Sequence, residues 1–243
     1  MRYCGGKFRI AKSLTNFLKY VRKQNQVFVD GMVGGGSIIR FIDGNRIAND
    51  KCPYLIEFYK AIQNGWRPKE NLSEQDYKRL QKLYKDGVCN GEIGFGLYFC
   101  SWGGKFNGGY ARNSKFDKSF KLVNGQLKDC YKLSDSINDV KFICSDYEDL
   151  LKYHLKVFQD IKSRCLIYFD IPYFGTTEYR FKFDHIRFWE VIREYSTIHD
   201  IYISEYVAPE DFECVWSMER KTNLNTKDAC KSDRIEKLFK YMG

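Results

Sequence analysis

The pentapeptide Phe169-Asp170-Ile171-Pro172-Tyr173 closes an apolar run, CLIYF, with a carboxylate, a proline and an aromatic ring. That combination suits a planar amine. An exocyclic amino nitrogen on a base is a poor nucleophile because its lone pair is delocalised into the ring. A carboxylate and a neighbouring backbone carbonyl can accept its two protons and concentrate electron density on nitrogen. Asp170 supplies the carboxylate, Ile171 the carbonyl, and Tyr173 a surface on which an extruded base can stack. Pro172 stiffens the turn. A proline turn with an inward-packed aromatic is the plainer reading of the same residues.

Three further stretches place polar groups after short apolar runs. In Phe28-Val29-Asp30-Gly31 through Gly34-Gly35-Gly36-Ser37, consecutive glycines let a backbone approach a ligand closely. No Lys-Ser or Lys-Thr follows them, so this is not a Walker motif, and it is not a clean G-x-G-x-x-G; a tight turn alone is the alternative. Asn49-Asp50 ends the next run, RIAND. An acid there accepts from the two hydroxyls of a ribose, or caps the helix that follows. Asp146, in CSDYEDL, either meets an adenine amino group or serves as a helix cap.

The elements that must carry these residues alternate. AKSLTNFLKYV has helical apolar spacing, QVFVD and RIAND read as strands, the glycine turn leads into a helix start, and CPYLIEFYKAIQNGW reads as a helix with Pro53 near its beginning. This is the rhythm of a parallel α/β sheet. It breaks at about residue 60. SEQDYKRLQKLYKDG predicts a polar helix opened by Ser73 and Asp76, and FGLYFCSWGGKFNGGYARNSKFD predicts a β-hairpin or extended loop. The rhythm resumes with VKFIC, CLIYFD, the helix DHIRFWEVIREY and the strand DIYISEY; FECVWSMERKTNL predicts a closing pair of strands before a last basic helix. The expected organisation is a core over 1–59 and 139–243 interrupted by an insertion over 60–138.

With 243 residues, 44% of them hydrophobic, the chain can bury a large core. Lys and Arg outnumber Asp and Glu by 40 to 31, which favours a polyanionic partner without requiring one. Nine cysteines, an odd number with no C-x-x-C pair, and three histidines at no ligand spacing predict reduced thiols and no metal site. No apolar run reaches the ~20 residues of a membrane span, and the amino terminus shows no targeting segment, so a cytoplasmic location is expected.

In their order, these motifs make the sequence resemble the Dam-type DNA adenine methyltransferases. Tyr3-Cys4-Gly5-Gly6-Lys7 is similar to that family's aromatic-x-Gly-Gly-Lys motif, FVDGMVGGGS to its glycine-rich turn, Asn49-Asp50 to its second motif and Asp170-Ile171-Pro172-Tyr173 to its Asp-Pro-Pro-Tyr motif. Ser204-Glu205-Tyr206 sits at a later strand-end motif, and SWGGKFNGGYAR resembles the DNA-reading hairpin, with Phe106, Asn107 and Arg112 at matching positions. The resemblance implies a Rossmann-like methyltransferase core with a helical and β-hairpin target-recognition insertion. It implies S-adenosylmethionine as cofactor, held by Tyr3, Gly6, Lys7, Asp30, Gly34, Gly36, Asp50, Asp146 and Asp170. It implies duplex DNA as partner, contacted by Lys105, Asn107 and Arg112, and catalysis by Asp170, Ile171, Pro172 and Tyr173. Two positions depart from the pattern: Ile171 stands where proline is usual, and Gly31-Met32 where Pro-Phe is usual. Amine methylation of cytosine, RNA or a protein amide, and an inactive DNA-binding relative, stay open. So do the recognition site, for which GATC is one candidate, the oligomeric state and a companion restriction endonuclease.

Overall fold

The computed structural model describes residues 1, 3–112, 119–158, 164–174, 182–220 and 234–243. In chain order the helices are α1 (Ala11–Val21), α2 (Pro53–Gln63), α3 (Glu74–Lys85), the short α4 (Gly91–Gly94), α5 (Ser119–Ser136), the short α6 (Tyr147–Asp149) and α7 (His185–Ser196). The strands are β1 (Phe28–Asp30), β2 (Arg46–Asp50), β3 (Val140–Cys144), β4 (Leu166–Asp170), β5 (Asp200–Glu205), β6 (Phe212–Arg220) and β7 (Arg234–Tyr241). They form one sheet in the order β3-β2-β1-β4-β5-β7-β6. The first five pair in parallel, and β7 runs antiparallel to both β5 and β6.

The central strands are apolar throughout because both faces of the sheet are covered. Successive side chains alternate between the faces. Phe28, Leu166 and Tyr168 join one core with α1 and α2, while Val29, Ile167 and Phe169 join a second core with α7. Leu72, Tyr77 and Leu80 around α3, Phe95 and Phe99 beyond it, and Leu127, Cys130 and Leu133 of α5 pack into the first of these cores. The residues expected as an insertion therefore share the core of the sheet.

The Rossmann-like α/β fold expected from the sequence is the one found, with local corrections. Ser73 and Asp76 form the expected capping box of α3. Within FGLYFCSWGGKFNGGYAR, however, Phe95–Phe99 is a wide helical turn, and hairpin character is confined to a single bridge between Ser101 and Tyr110. The aromatic residues there bury against α2, which favours a helical turn over a sheet edge. The helix start after the glycines is only a 3-10 turn, Ile39–Phe41. The last basic helix is instead strand β7, whose Glu236 and Leu238 are buried while Ile235 is exposed; pairing with β5 and β6, not a local period, makes it a strand. Residues 113–118, 175–181 and 221–233, on which parts of the loop, of the Tyr173 turn and of the closing strands were expected, lie outside the described residues.

The strand order reverses between β1 and β4, the position where open α/β sheets bind ligands beyond the carboxyl ends of their strands. Asn49, only 1% exposed, knits that end together. Its amide nitrogen donates to the carbonyls of Gly31 and Ser145, both at 3.0 Å, and its oxygen accepts from the Ser145 N–H at 3.1 Å. Net hydrogen bonds of this kind contribute about 1 kcal/mol each, and the buried groups left behind add to the loss. Asn49→Ala is expected to destabilise the protein by about 2–4 kcal/mol, read from urea unfolding; a change within 0.5 kcal/mol, roughly the range of a neutral surface substitution, would remove Asn49 from this role.

Candidate active site

The four strand-end motifs converge on one cleft of about 780 Å³. Asp30 ends β1, Asp50 ends β2, Ser145 and Asp146 follow β3, and Asp170 ends β4. Tyr3, Gly6, Lys7 and Gly34 reach the same cleft from the amino-terminal segment and the glycine turn. The sequence motifs, remote along the chain, are thus brought together by the parallel sheet.

The glycine turn is shaped by contact with Tyr3. Gly34 and Gly36 have φ of 44° and 68°, the left-handed region. A Cβ on Gly35 would lie 2.6 Å from the Tyr3 Cβ, and one on Gly34 2.9 Å from its ring. Tyr3 in turn stacks on Tyr98, ring centres 5.6 Å apart. The Tyr59 hydroxyl donates to the Gly34 carbonyl at 2.5 Å. Only bare backbone fits between these rings and the cleft.

Asp50 accepts from the Gly34 N–H at 3.0 Å and the Cys52 N–H at 2.8 Å. It therefore ties the glycine turn to the residue before α2; the N-cap of α2 is Cys52 and has no side-chain cap bond, so Asp50 is not the helix cap that the alternative reading expected, and two N–H bonds leave a carboxylate with further acceptor capacity. Burial pushes its carboxyl up to about 6, against the pull of those two bonds. Asp30 is enclosed; burial, then the neighbouring charges of Asp170 and Asp50, push it well above the usual carboxylate range despite backbone bonds from Ile39 and Met32. Asp146 caps α6 through the Glu148 N–H and pairs with Lys51 at 2.8 Å.

The catalytic candidates are organised around a buried lysine. Lys7 Nζ lies 3.0 Å from Asp170 Oδ1 and 3.3 Å from Glu236 Oε2, donates to the Tyr173 hydroxyl, and sits 4.1 Å from the centre of the Tyr173 ring. The Tyr173 hydroxyl donates to Glu236 at 3.0 Å. Burial alone would pull the Lys7 amine down, but Asp170 and Glu236 together hold it above its ordinary value. Burial raises Asp170; Lys7 pulls it back, and Glu236 pushes it up again, leaving it above the usual range. Burial, with the charges of Asp170 and Glu236, keeps the Tyr173 phenol protonated. The Tyr173 ring meets Tyr206 edge-on at 4.4 Å, and Glu205 accepts from the Phe174 N–H at 3.0 Å. His185 bonds the Pro172 carbonyl at 2.7 Å. Ile171 is 2% exposed and packs its side chain into the core beside Phe169 and Phe188, so an apolar branched residue is accommodated there.

Of the candidates in the basic loop, Lys105 lines the cleft beside Phe106. Asn107 adopts φ 55° and accepts from Gln81 at 2.6 Å. Arg112 lies outside the cleft, and both its Nε (2.8 Å) and a terminal nitrogen pair with Glu74 at the start of α3. Sequence reading missed Glu236. Its strand runs antiparallel, so the beginning of β7, not its end, reaches Lys7 and Tyr173; the available signal was a lone acid among the apolar and basic residues of RIEKLFKY, near the end of the sequence.

Residues 3–95, less than half of the chain, match the model of the D12 class N6 adenine-specific DNA methyltransferase family. This agrees with the Dam-type resemblance, supports a methyltransferase, and implies S-adenosylmethionine as the cofactor. The matched part holds Tyr3 to Lys7, the glycine turn and Asn49-Asp50; Asp170 to Tyr173 and the basic loop lie beyond it. A sequence search among curated proteins finds no match. Two solved structures of the rRNA methyltransferase aviRa from Streptomyces viridochromogenes are similar at 10% and 11% identity, with TM-scores of 0.46 and 0.47, covering 98% of this chain and 86% of theirs. At such distance their substrate says nothing about the substrate of this chain.

Removing Lys7 would leave two buried carboxylates facing each other. Lys7→Met is expected to cost about 3–5 kcal/mol at neutral pH. The sign follows from linkage: without the ammonium, the Asp170 carboxyl rises further above its unfolded value, so the loss shrinks as pH falls toward that raised value. Adding Glu236→Gln should recover part of it. Equal unfolding curves for wild type and Lys7→Met from pH 5 to 8 would overturn this account.

Proposed function

We propose that the chain is an S-adenosylmethionine-dependent methyltransferase acting on the exocyclic amino group of adenine in duplex DNA. The observation that carries the reading is the junction, in one cleft at the switch point of the sheet, of Asp170 and Pro172 with Lys7, the glycine turn and Asp50; Tyr173 adjoins it through Lys7, and Ile171 follows Asp170 without lining the cleft.

The residues fit the cofactor. The turn at Gly34 and Gly35 admits no Cβ beside Tyr3, Asp50 retains acceptor capacity for a ribose, and about 780 Å³ accommodates a nucleoside with its amino-acid arm. Tyr3, Gly6, Lys7, Asp30, Gly34, Asp50, Asp146 and Asp170 line the cleft and would hold it; Gly36, expected with them, faces Tyr59 and Leu133 and does not line it. When bound, S-adenosylmethionine supplies an electrophilic methyl group on a sulfonium. Asp170 and the Ile171 carbonyl accept from the amino group and aim its lone pair, and Tyr173 stacks on the extruded base. The nitrogen loses a proton after its new bond forms, so Asp170 need not be a strong base. Positioning and electrostatics supply most of the acceleration.

Lys51, Lys105, Lys182 and Arg187 line the cleft and suit a phosphate backbone. Arg112 and Asn107 are proposed to read base edges, an arginine–guanine pair discriminating by ~1–3 kcal/mol. The region 60–138 is proposed as the target-recognition part, and a DNA acceptor places the work of the protein in the cytoplasm. Among the described residues no helix is long and apolar enough to cross a membrane.

The direct test is transfer of labelled methyl from S-adenosylmethionine to unmethylated duplex DNA at low salt, followed by nucleoside analysis. Label in N6-methyladenine is expected, and Asp170→Ala should lower turnover by ~10³-fold or more while DNA binding persists. Label only in cytosine, RNA or protein would reassign the acceptor, and none anywhere would favour a binding protein.

Cofactor affinity should depend on pH through Asp50. Its ionised form is the one that accepts ribose hydroxyls, and its pKa stands at about 6. Binding is therefore expected to weaken as pH falls below about 6, and Asp50→Asn should flatten the profile. A titration of the wild type showing constant affinity from pH 5 to 8 would take Asp50 out of the contact.

A further inference from the structure

The turn that carries Tyr173 is gripped from outside the cleft. Glu205, the last residue of β5, is 2% exposed, and both of its oxygens accept from backbone. Oε1 takes the Tyr206 N–H at 2.6 Å, and Oε2 reaches across to the Phe174 N–H at 3.0 Å. From the other side His185, the first residue of α7, bonds the Pro172 carbonyl at 2.7 Å. A carbonyl only accepts, so Nε2 of the imidazole carries the proton. The His185 ring meets Phe174 and Phe183 edge-on, at 5.5 and 4.9 Å. Neither Glu205 nor His185 lines the cleft, although Phe183, Asp184 and Arg187 beside His185 do.

The two bonds fall on the two peptide units that flank Tyr173. The Pro172 carbonyl belongs to the unit before it, the Phe174 N–H to the unit after it. Peptide units are planar, so restraining both restrains φ and ψ of Tyr173 and the direction in which its side chain leaves the backbone. An enclosed carboxylate is costly unless bonded, and an apolar residue at the end of β5 would leave the Phe174 N–H without this acceptor. Within the tetrapeptide only Pro172 fixes its own φ, since Ile171 brings no second ring.

From this geometry we infer that Glu205 and His185 are positioning residues: a clasp from β5 and α7 that sets the backbone under Tyr173, and through it the pose of the acceptor amine. The inference rests on the acceptor role proposed above for Asp170, Ile171 and Tyr173. The Tyr173 side chain has its own contacts with Lys7, Glu236 and Tyr206, and the clasp acts on the chain beneath them. Misplacement by about 1 Å in such a constellation can slow a reaction about a hundred-fold. The glycine turn, Tyr3 and Asp50 hold one another on the other side of the cleft. Loosening the clasp therefore slows transfer and leaves cofactor binding in place.

The test compares wild type with Glu205→Gln, His185→Phe, His185→Gln and the double variant Glu205→Gln/His185→Phe. Glu205→Gln keeps the shape but offers one acceptor oxygen to two N–H groups. His185→Phe keeps a ring beside Phe174 and Phe183 but loses the donor, whereas His185→Gln keeps a donor. Calorimetric binding of S-adenosylmethionine should stay within about three-fold of wild type, while single-turnover methyl transfer to adenine-containing duplex falls about ten-fold or more in Glu205→Gln and His185→Phe. His185→Gln should transfer faster than His185→Phe, which a need for the ring alone would not produce. The double variant should be less than about three-fold slower than the worse single, because either break frees the same turn; independent effects would multiply. Amide hydrogen exchange gives a reading that needs no acceptor: the Phe174 N–H should exchange about ten-fold faster or more in His185→Phe, although His185 does not bond it. Wild-type transfer in both Glu205→Gln and His185→Phe, or cofactor binding that falls in step with transfer, overturns the inference. If Glu205→Gln fails to fold, the two His185 variants and the Phe174 exchange decide it. If the wild type binds the cofactor yet methylates no adenine, the acceptor reading fails, and the hold on Tyr173 is judged by exchange alone: unchanged exchange in His185→Phe removes the clasp as well.

Discussion

The site depends on one buried ammonium. Lys7, from the amino-terminal motif, lies between carboxylates that arrive on β4 and β7. Taking any one of these charges out of water is expensive; together, with the Tyr173 hydroxyl between them, they form a bonded cluster. The cluster ties the first residues of the chain to its last strand across the middle of the sheet. It also sets the local electrostatics, since Asp170 responds to both Lys7 and Glu236.

Around that cluster, the parallel sheet does the geometric work. Strand ends separated by tens of residues arrive at one edge because β1, β2, β3 and β4 run the same way. Asn49 and Asp50 then bond the loops that follow these strands. The glycine turn is as much a product of Tyr3 as of its own sequence, since that ring occupies the space any side chain would need. The residues proposed to contact a ligand are also those that hold the local fold. Asp50, bonded to the Gly34 and Cys52 N–H groups, keeps room for a ligand because two N–H donors do not exhaust a carboxylate.

How much was legible in the sequence follows from how local each signal is. Apolar runs ending in Asp30, Asp50 and Asp170 announced strands whose ends meet at one cleft, and Ser73 with Asp76 announced a helix start. The register that joins them needed only the parallel rhythm. Non-local effects were hidden. RIEKLFKY carries enough charge to pass for a solvated helix, and only pairing with β5 and β6 makes it a strand with Glu236 inside. FGLYF has strand-like composition, but packing of Phe95 and Phe99 against Phe58 turns it into a helical segment. Helix α5 went unread; its Leu127, Cys130 and Leu133 show their common face only against the sheet.

The pairing of Arg112 with Glu74 bears on the DNA contact proposed for the basic loop. The guanidinium already holds a two-point carboxylate, at an exposed position where water competes for both ions. A newcomer gains only the difference between its own contact and the one it replaces. A single phosphate oxygen offers little over that carboxylate, whereas a group presenting two acceptors in the same plane, and tolerating a displaced acid nearby, can compete. If the loop meets a polyanion as proposed, Glu74 would act as an internal standard against which each encounter is weighed, biasing the loop toward brief, reversible contact wherever the match is poor.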